Sequence, residues 1–252
     1  MKIVIDEKKV KRQSLIGKIA LYGSLGVLVG GLLLTLFGQQ IGLFSYENIG
    51  AFYIVYTAVL LVGFGVSRIG MYYGNRYLSP GRPSLVLREL LKGMERKYTL
   101  MMFSLPADYV LIEPGGVTAL IVKTQAGKVA YKGGKWKRRE NFMTLWFGRD
   151  EPLGDPTAEA SEALKQLNKI LTEKSPNLKI PLRALVVFTN PKVTLDLEPG
   201  PLAVVKGEDL KDYLRSAGKL KELPNSIQRQ ARTALGAPEP APAEQPPSKE
   251  SK

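Results

Sequence analysis

The sequence predicts an α/β domain behind an N-terminal two-helix transmembrane hairpin. Three observations lead there. Two long uncharged apolar runs, 19–37 and 48–67, lie near the start of the chain. Beyond them, short β-branched runs alternate with segments whose apolar residues recur at helical spacing. Finally, Lys and Arg total 36 against 23 Asp and Glu, a formal charge of +13, yet 44% of the residues are hydrophobic. So basic a chain keeps a mean hydropathy of −0.06 only by concentrating its apolar residues in a few places.

Length and composition exclude several chemistries. A chain of 252 residues holds one domain of ordinary size plus extras. It has no cysteine, which removes disulfides and thiolate metal sites, and no histidine. Ser-His-Asp catalysis, Cys-His catalysis and imidazole-bound zinc are therefore excluded. A catalytic metal would need oxygen ligands alone, which favours magnesium or manganese. The positive charge calls for an anionic partner, either nucleic acid or lipid headgroups.

Residues 1–18 form a basic segment, with Lys8, Lys9, Lys11, Arg12 and Lys18, that is expected to be mobile and cytoplasmic. Residues 19–69 are read as two transmembrane helices with a short external loop. At ~1.5 Å per residue the run 19–37 spans about 28 Å, close to the ~30 Å core of a bilayer. Tyr72, Tyr73 and Tyr77 cluster beyond the second run, where an interfacial aromatic belt belongs. Gly26-x-x-x-Gly30 suits close packing of two helices, and the glycine-rich first span is a candidate surface for homo-oligomerisation. Basic residues precede the first span, and Arg68, Arg76, Arg82 and Arg88 follow the second, while the connecting loop, whose one charge is Glu47, has no Lys or Arg. The positive-inside rule puts both termini in the cytoplasm, giving a two-pass protein of the cell (inner) membrane.

Ser79-Pro80-Gly81-Arg82-Pro83 is a linker, because its prolines and glycine stop the second helix. The soluble domain is expected over 79–216. Residues 85–96 read as a helix with Leu87, Leu90, Leu91 and Met94 on one face. Residues 98–105 and 108–112 read as strands, and Gly115-Gly116 turns the chain into a third at 117–122. A hairpin follows around Gly133-Gly134, then an irregular loop at 141–154 containing Phe142, Trp146 and Phe147. Asp155-Pro156 opens a helix to about Glu173, with Ala160, Leu164, Leu167 and Leu171 inward. The apolar run 182–189 suits a strand buried on both faces. A strand at 202–205, a helix near 208–215 and a further helix within 217–236 complete the domain. The tail 237–252, APEPAPAEQPPSKESK, is proline-rich, polar and expected to be disordered.

The stretch 106–123, PADYVLIEPGGVTALIVK, carries the chemistry. It places Asp108 at the start of one strand and Lys123 at the end of the next. Together with Pro114-Gly-Gly-Val117, Trp136, Asp155-Pro156 through Glu159 and the apolar run 184–188, it resembles the nuclease-related (NERD) domain over about residues 82–216. That resemblance implies a restriction-endonuclease-like core, α-β-β-β-α-β, of the PD-(D/E)xK superfamily. It also implies that Asp108 and an acid two residues before Lys123 would bind magnesium or manganese while the lysine activates water. Strand alternation lets positions 121 and 123 serve one site.

Position 121, however, is isoleucine, which ligates nothing. Glu113 and Glu159 are the acids that could stand in as metal donors. Their simpler readings are a solvated turn residue and a first-turn helix charge. Asp108 and Lys123 are thus vestigial catalytic candidates, and the balance leans against an enzyme. From Lys123 to Arg139 there are seven basic residues and no acid. Lys128, Lys132, Lys135, Lys137, Arg138 and Arg139, with Trp136 interleaved, form a candidate nucleic-acid surface. Anionic lipid would attract the same charges; the fold resemblance ranks DNA or RNA first. The expected function is a membrane-anchored degenerate nuclease that binds nucleic acid or another anionic partner. Its rivals are an active magnesium-dependent nuclease with a relocated acid, and a non-catalytic scaffold contacting proteins or lipid.

Overall fold

The computed structural model describes residues 1–38, 40, 42, 49–139, 151–216 and 218–238. The expected loop around Phe142, Trp146 and Phe147, the loop residue Glu47 and nearly all of the proline-rich tail lie outside these residues. The described chain falls into two compact units. One contains Glu7–Leu85. The other contains Met1–Asp6 and the chain from Val86 onward, apart from residues near 142–151.

The first unit is a pair of helices, α1 (Glu7–Phe37) and α2 (Ile49–Tyr73), the latter continued by a π-helical turn at Gly74–Leu78. Both are long and apolar enough to cross a membrane. Their large side chains are exposed, with Ile19 at 63%, Ile54 at 72% and Leu61 at 66%. So continuous an apolar surface marks a contact with other apolar material. The two helices run antiparallel, and glycines set their separation. A Cβ at Gly31 would lie 2.5 Å from Val59, at Gly63 3.0 Å from Leu28, at Gly70 2.8 Å from the Leu21 amide and at Gly17 3.0 Å from Tyr73. The α1 seam thus runs Gly17, Leu21, Ser24, Leu28, Gly31, alternating steps of three and four residues. Gly26 and Gly30 are not part of it, since nothing lies within 4 Å of a Cβ at either. The close packing expected at that motif is not made here; α2 meets α1 on another face.

The second unit is a mixed α/β domain. Its six-stranded sheet has the order β1-β2-β3-β4-β7-β9, with β1 (Lys2–Ile5), β2 (Thr99–Met102), β3 (Tyr109–Glu113), β4 (Gly116–Lys123), β7 (Leu182–Phe188) and β9 (Ala203–Lys206). The strands β2, β3 and β4 form an antiparallel meander, and β7 returns parallel to β4 after the helix α4 (Pro156–Lys174). A second sheet has the order β6-β5-β8, from β5 (Gly127–Lys132), β6 (Lys135–Arg138) and β8 (Val193–Leu197). Three more helices are α3 (Pro83–Leu90), α5 (Leu210–Arg215) and α6 (Asn225–Leu235).

Local chemistry explains most of these boundaries. Asp155 caps α4 through its carboxylate, which accepts from the Thr157 amide at 2.9 Å and the Ala158 amide at 3.2 Å. The helix expected over 85–96 stops at Leu90 because Gly93 takes a left-handed conformation (φ 82°). The Gly115-Gly116 turn is more than a turn: a Cβ at Gly115 would sit 2.4 Å from Leu220, and one at Gly116 2.4 Å from the Pro181 carbonyl. Buried Arg232 of α6 pins that helix to the sheet, donating to Thr99 Oγ1 at 2.6 Å and to the Lys97 carbonyl.

The segment Lys2–Ile5, expected to be mobile, is instead a strand. It pairs in parallel with β2 (Lys2 beside Thr99, Ile5 beside Met102), and the N-terminal ammonium donates to the Met94 carbonyl at 2.8 Å. Its β-branched Ile3-Val4-Ile5 run supplies the propensity, and an open sheet edge supplies the partner.

Candidate functional site

Of the two sequence-predicted catalytic residues, Lys123 ends β4 and Asp108 lies in the bend before β3. Val110 pairs with Ala119 across β3 and β4. The pairing of the two strands ends there. Side chains alternate along a strand, so Val110 and Ile112 share one face of β3. Lys123 shares that face with Val117, Ala119 and Ile121. The apolar members all belong to the buried cluster that also includes Ala160, Ala163 and Leu167 of α4. The approach to Asp108 is bent at Phe103, whose φ of 61° is left-handed, and the Phe103 amide donates to the Asp108 carbonyl at 2.7 Å. Such a conformation costs a non-glycine residue about 1–2 kcal/mol. Burial of the Phe103 ring against Tyr109, 5.2 Å away, offsets it.

At the end of β4, Lys123 is buried, with 7% of its surface exposed. Its ammonium donates to Glu159 Oε1 at 2.6 Å and to the Leu153 carbonyl at 2.8 Å. Gly154 makes this possible. Its left-handed φ of 67° bends the chain over the lysine, and a Cβ there would stand 3.0 Å from Glu159 Oε1. Glu159 lies in the first turn of α4, where its charge also complements the helix dipole. Glu159 is therefore the acid that meets Lys123, and it arrives from the helix, not from position 121. Ile121 is 8% exposed and belongs to the core cluster.

Glu113 takes no part in this arrangement. It lies on the opposite face of the sheet and is 4% exposed, so it is neither a solvated turn residue nor a neighbour of Lys123. Its carboxylate accepts from Thr118 Oγ1 and from Arg183 Nη2 at 3.0 and 3.1 Å. Burial pushes its carboxyl above the ordinary value, with Thr118 and Arg183 opposing the rise. Among the described residues no group of three or more His, Cys, Asp or Glu stands close enough to hold a metal ion. With Ile121 in the core and Glu159 tied to Lys123, the donors do not fit magnesium or manganese.

The basic hairpin divides by strand alternation. Tyr131 pairs with Trp136 and Val129 with Arg138. These four face inward: the rings of Tyr131 and Trp136 are 4.9 Å apart, and Trp136 stands 6.3 Å from Phe188. Trp136 Nε1 donates to Thr157 Oγ1 at 2.8 Å, and Arg138 Nε to the Ala126 carbonyl at 3.0 Å. Trp136, proposed from sequence as a base-stacking residue, is thus fixed against the domain, and Arg138 is turned inward beside it. The outer face carries Lys128, Lys132, Lys135, Lys137 and Arg139, all exposed. A single carboxylate from β8, Asp196, enters this face, where it meets Lys128 and Lys132 at 3.1 Å each. Their hydrogen bonds hold Asp196 below the usual carboxylate range. Lys135, Lys137 and Arg139 make no ion pair with any described residue.

Compared with protein-family models, curated proteins and solved structures, the chain matches none. The site is therefore defined by its own geometry. Sequence reasoning missed Leu153, Gly154 and Asp196, because a carbonyl acceptor leaves no mark in composition and β8 was not recognised as a strand. An alternating Val193-Thr-Leu-Asp-Leu197 run was the signal available for the latter.

Proposed function

We propose that this is a two-pass membrane protein whose domain, held at the cytoplasmic face of the cell membrane, binds a polyanion and does not cleave it. Nucleic acid is the favoured partner. The observation that carries this reading is the outer face of the small sheet. Among the described residues, five cations there share one open surface with one carboxylate, and the Tyr131 and Trp136 rings point the other way. Such a face suits a phosphate backbone, and among the described residues its strands present no ring that would stack unpaired bases. The restriction-endonuclease-like reading of the core belongs to the same proposal. It is supported by the order α3-β2-β3-β4-α4-β7.

The membrane topology has independent support. The strands β1 and β2 flank the helix pair in sequence, yet they lie side by side in one sheet. Both ends of the pair thus return to one domain, which requires an even number of crossings. The basic flanks support an inside location for that domain.

The inactive reading is supported by how the site is paired. A lysine paired at 2.6 Å with Glu159 is neutralised before any phosphate arrives, and Ile121 offers no ligand. The test uses the full chain in neutral-lipid nanodiscs with a labelled DNA or RNA duplex. Expected is binding whose logarithm falls with the logarithm of salt at a slope of at most about −4.5, from ~0.9 per phosphate contact. Cleavage with magnesium or manganese that is lost in Lys123→Ala would sink the inactive reading. Absence of binding at low salt would sink the nucleic-acid reading and leave a scaffold.

A further inference from the structure

We propose that the cleft between the Tyr131–Trp136 ring pair and the Pro199–Pro201 segment docks an extended proline-rich segment, and that its occupant is this chain's own C-terminal stretch. Pro246 and Pro247 would lie against the rings, with Lys249 at Glu198.

The cleft has a volume of about 320 Å³ and is walled by aromatic rings, prolines and aliphatic side chains, with Glu198 as its one carboxylate. It is preformed. Trp136 is held through Nε1 by Thr157 at 2.8 Å, which fixes the indole plane. The other ring is held by backbone: a Cβ at Gly200 would lie 2.6 Å from Tyr131 Cε1, so the 199–201 chain presses flat on that ring. Two fixed aromatic surfaces set 49° apart beside a carboxylate form the groove chemistry that receives polyproline-type segments, which lose little entropy on docking.

The chain supplies a matching ligand. After Pro238 the sequence reads EPAPAEQPPSKESK, with prolines at 240, 242, 246 and 247 and a lysine two residues after the last. Charge complementarity selects the register, since Lys249 follows the proline pair as Glu198 flanks the rings. Reach is ample. Extended at ~3.1 Å per residue, the segment beyond Pro238 spans about 43 Å. Its departure point is fixed, since Ala237 is buried in the core cluster. Tethering supplies an effective concentration of roughly millimolar, so an affinity near 0.1 mM suffices for occupancy.

The experiment uses the full chain in nanodiscs carrying Trp146→Phe, so that Trp136 is the sole indole. Acrylamide quenching is compared with the same chain bearing Pro246→Ala, Pro247→Ala and Lys249→Glu. Expected is about a twofold larger quenching constant in the triple variant, at every protein concentration. A synthetic 238–252 peptide should restore protection to that variant, while the peptide with the three substitutions should not. Equal quenching of the two chains overturns the proposal. Protection that grows with protein concentration overturns the assignment to the chain's own segment.

Discussion

Two groups of cations lie close together in sequence and meet opposite fates. Lys123 is drawn inward, where a carboxylate at 2.6 Å and a carbonyl at 2.8 Å satisfy it. Lys128, Lys132, Lys135, Lys137 and Arg139 stand on an open face with one acid between them. A buried charge must be matched, because leaving it unpaired costs several kcal/mol. An exposed charge need not be, because water already solvates it. The comparison separates a lysine committed to the fold from lysines still available to a ligand.

The largest effect should come from the position that decides between catalysis and structure. Ile121→Glu would bury a carboxylate inside the apolar cluster of Val110, Ala119 and Val186. A loss of about 3 kcal/mol or more is expected, measured by urea unfolding. If manganese restored that loss, position 121 would be a latent metal site and the contrast would break.

Next is the Lys123 pair itself, where the two halves are unequal. Lys123 is 8% exposed at its side chain and Glu159 is 46% exposed. Glu159→Ala strands a buried ammonium and should cost about 2 kcal/mol. Lys123→Met returns Glu159 to water and should cost about 1 kcal/mol, chiefly for the orphaned Leu153 carbonyl. The double variant should be closer to Lys123→Met than to the sum. Additive losses would show that the two side chains do not act as a pair.

On the outer face the order inverts. Lys135→Ala with Lys137→Ala should leave stability within about 0.5 kcal/mol of the parent. Duplex binding should weaken, and its salt slope should shrink by about 2. A stability loss as large as that of Glu159→Ala would mean that these lysines are structural after all.

How much of this was legible in the sequence follows from what each feature depends on. The two apolar helices, the Gly115-Gly116 turn and the Asp155-Pro156 helix start are written in local residue types. All three were readable. The pairing of Glu159 with Lys123 was not, because thirty-five residues separate them in the chain and only the β4-α4 crossover brings them together. Trp136 shows the same limit. Its neighbours in sequence are Lys135 and Lys137, which suggested a base-stacking ring, but strand alternation turned it to the other face. Lys2–Ile5 was missed because an isolated four-residue strand has no meaning until a sheet edge exists to receive it.

The smallest effect contrasts two acids, one on each side of the divide. Glu113 is buried, and burial raises its carboxyl above the ordinary glutamate value of 4.5 despite Thr118 and Arg183. Asp196 is exposed, and Lys128 and Lys132 lower it below 3.8. The two should leave opposite marks on stability. Above 4.5 the unfolded chain releases the Glu113 proton more readily than the folded one, so its contribution is present at low pH and lost as pH rises through the folded value. Asp196 contributes above 3.8 and loses that contribution as pH falls through its lowered value. Melting temperature against pH from 3 to 7 therefore separates them. Glu113→Gln keeps the acceptor for Thr118 and Arg183 and should remove a downward slope on the alkaline side of 4.5. Asp196→Asn should flatten only the acid limb below 3.8. A Glu113→Gln profile parallel to the parent would mean that Arg183 fully compensates the burial, and the inner acid would then be as well matched as Lys123.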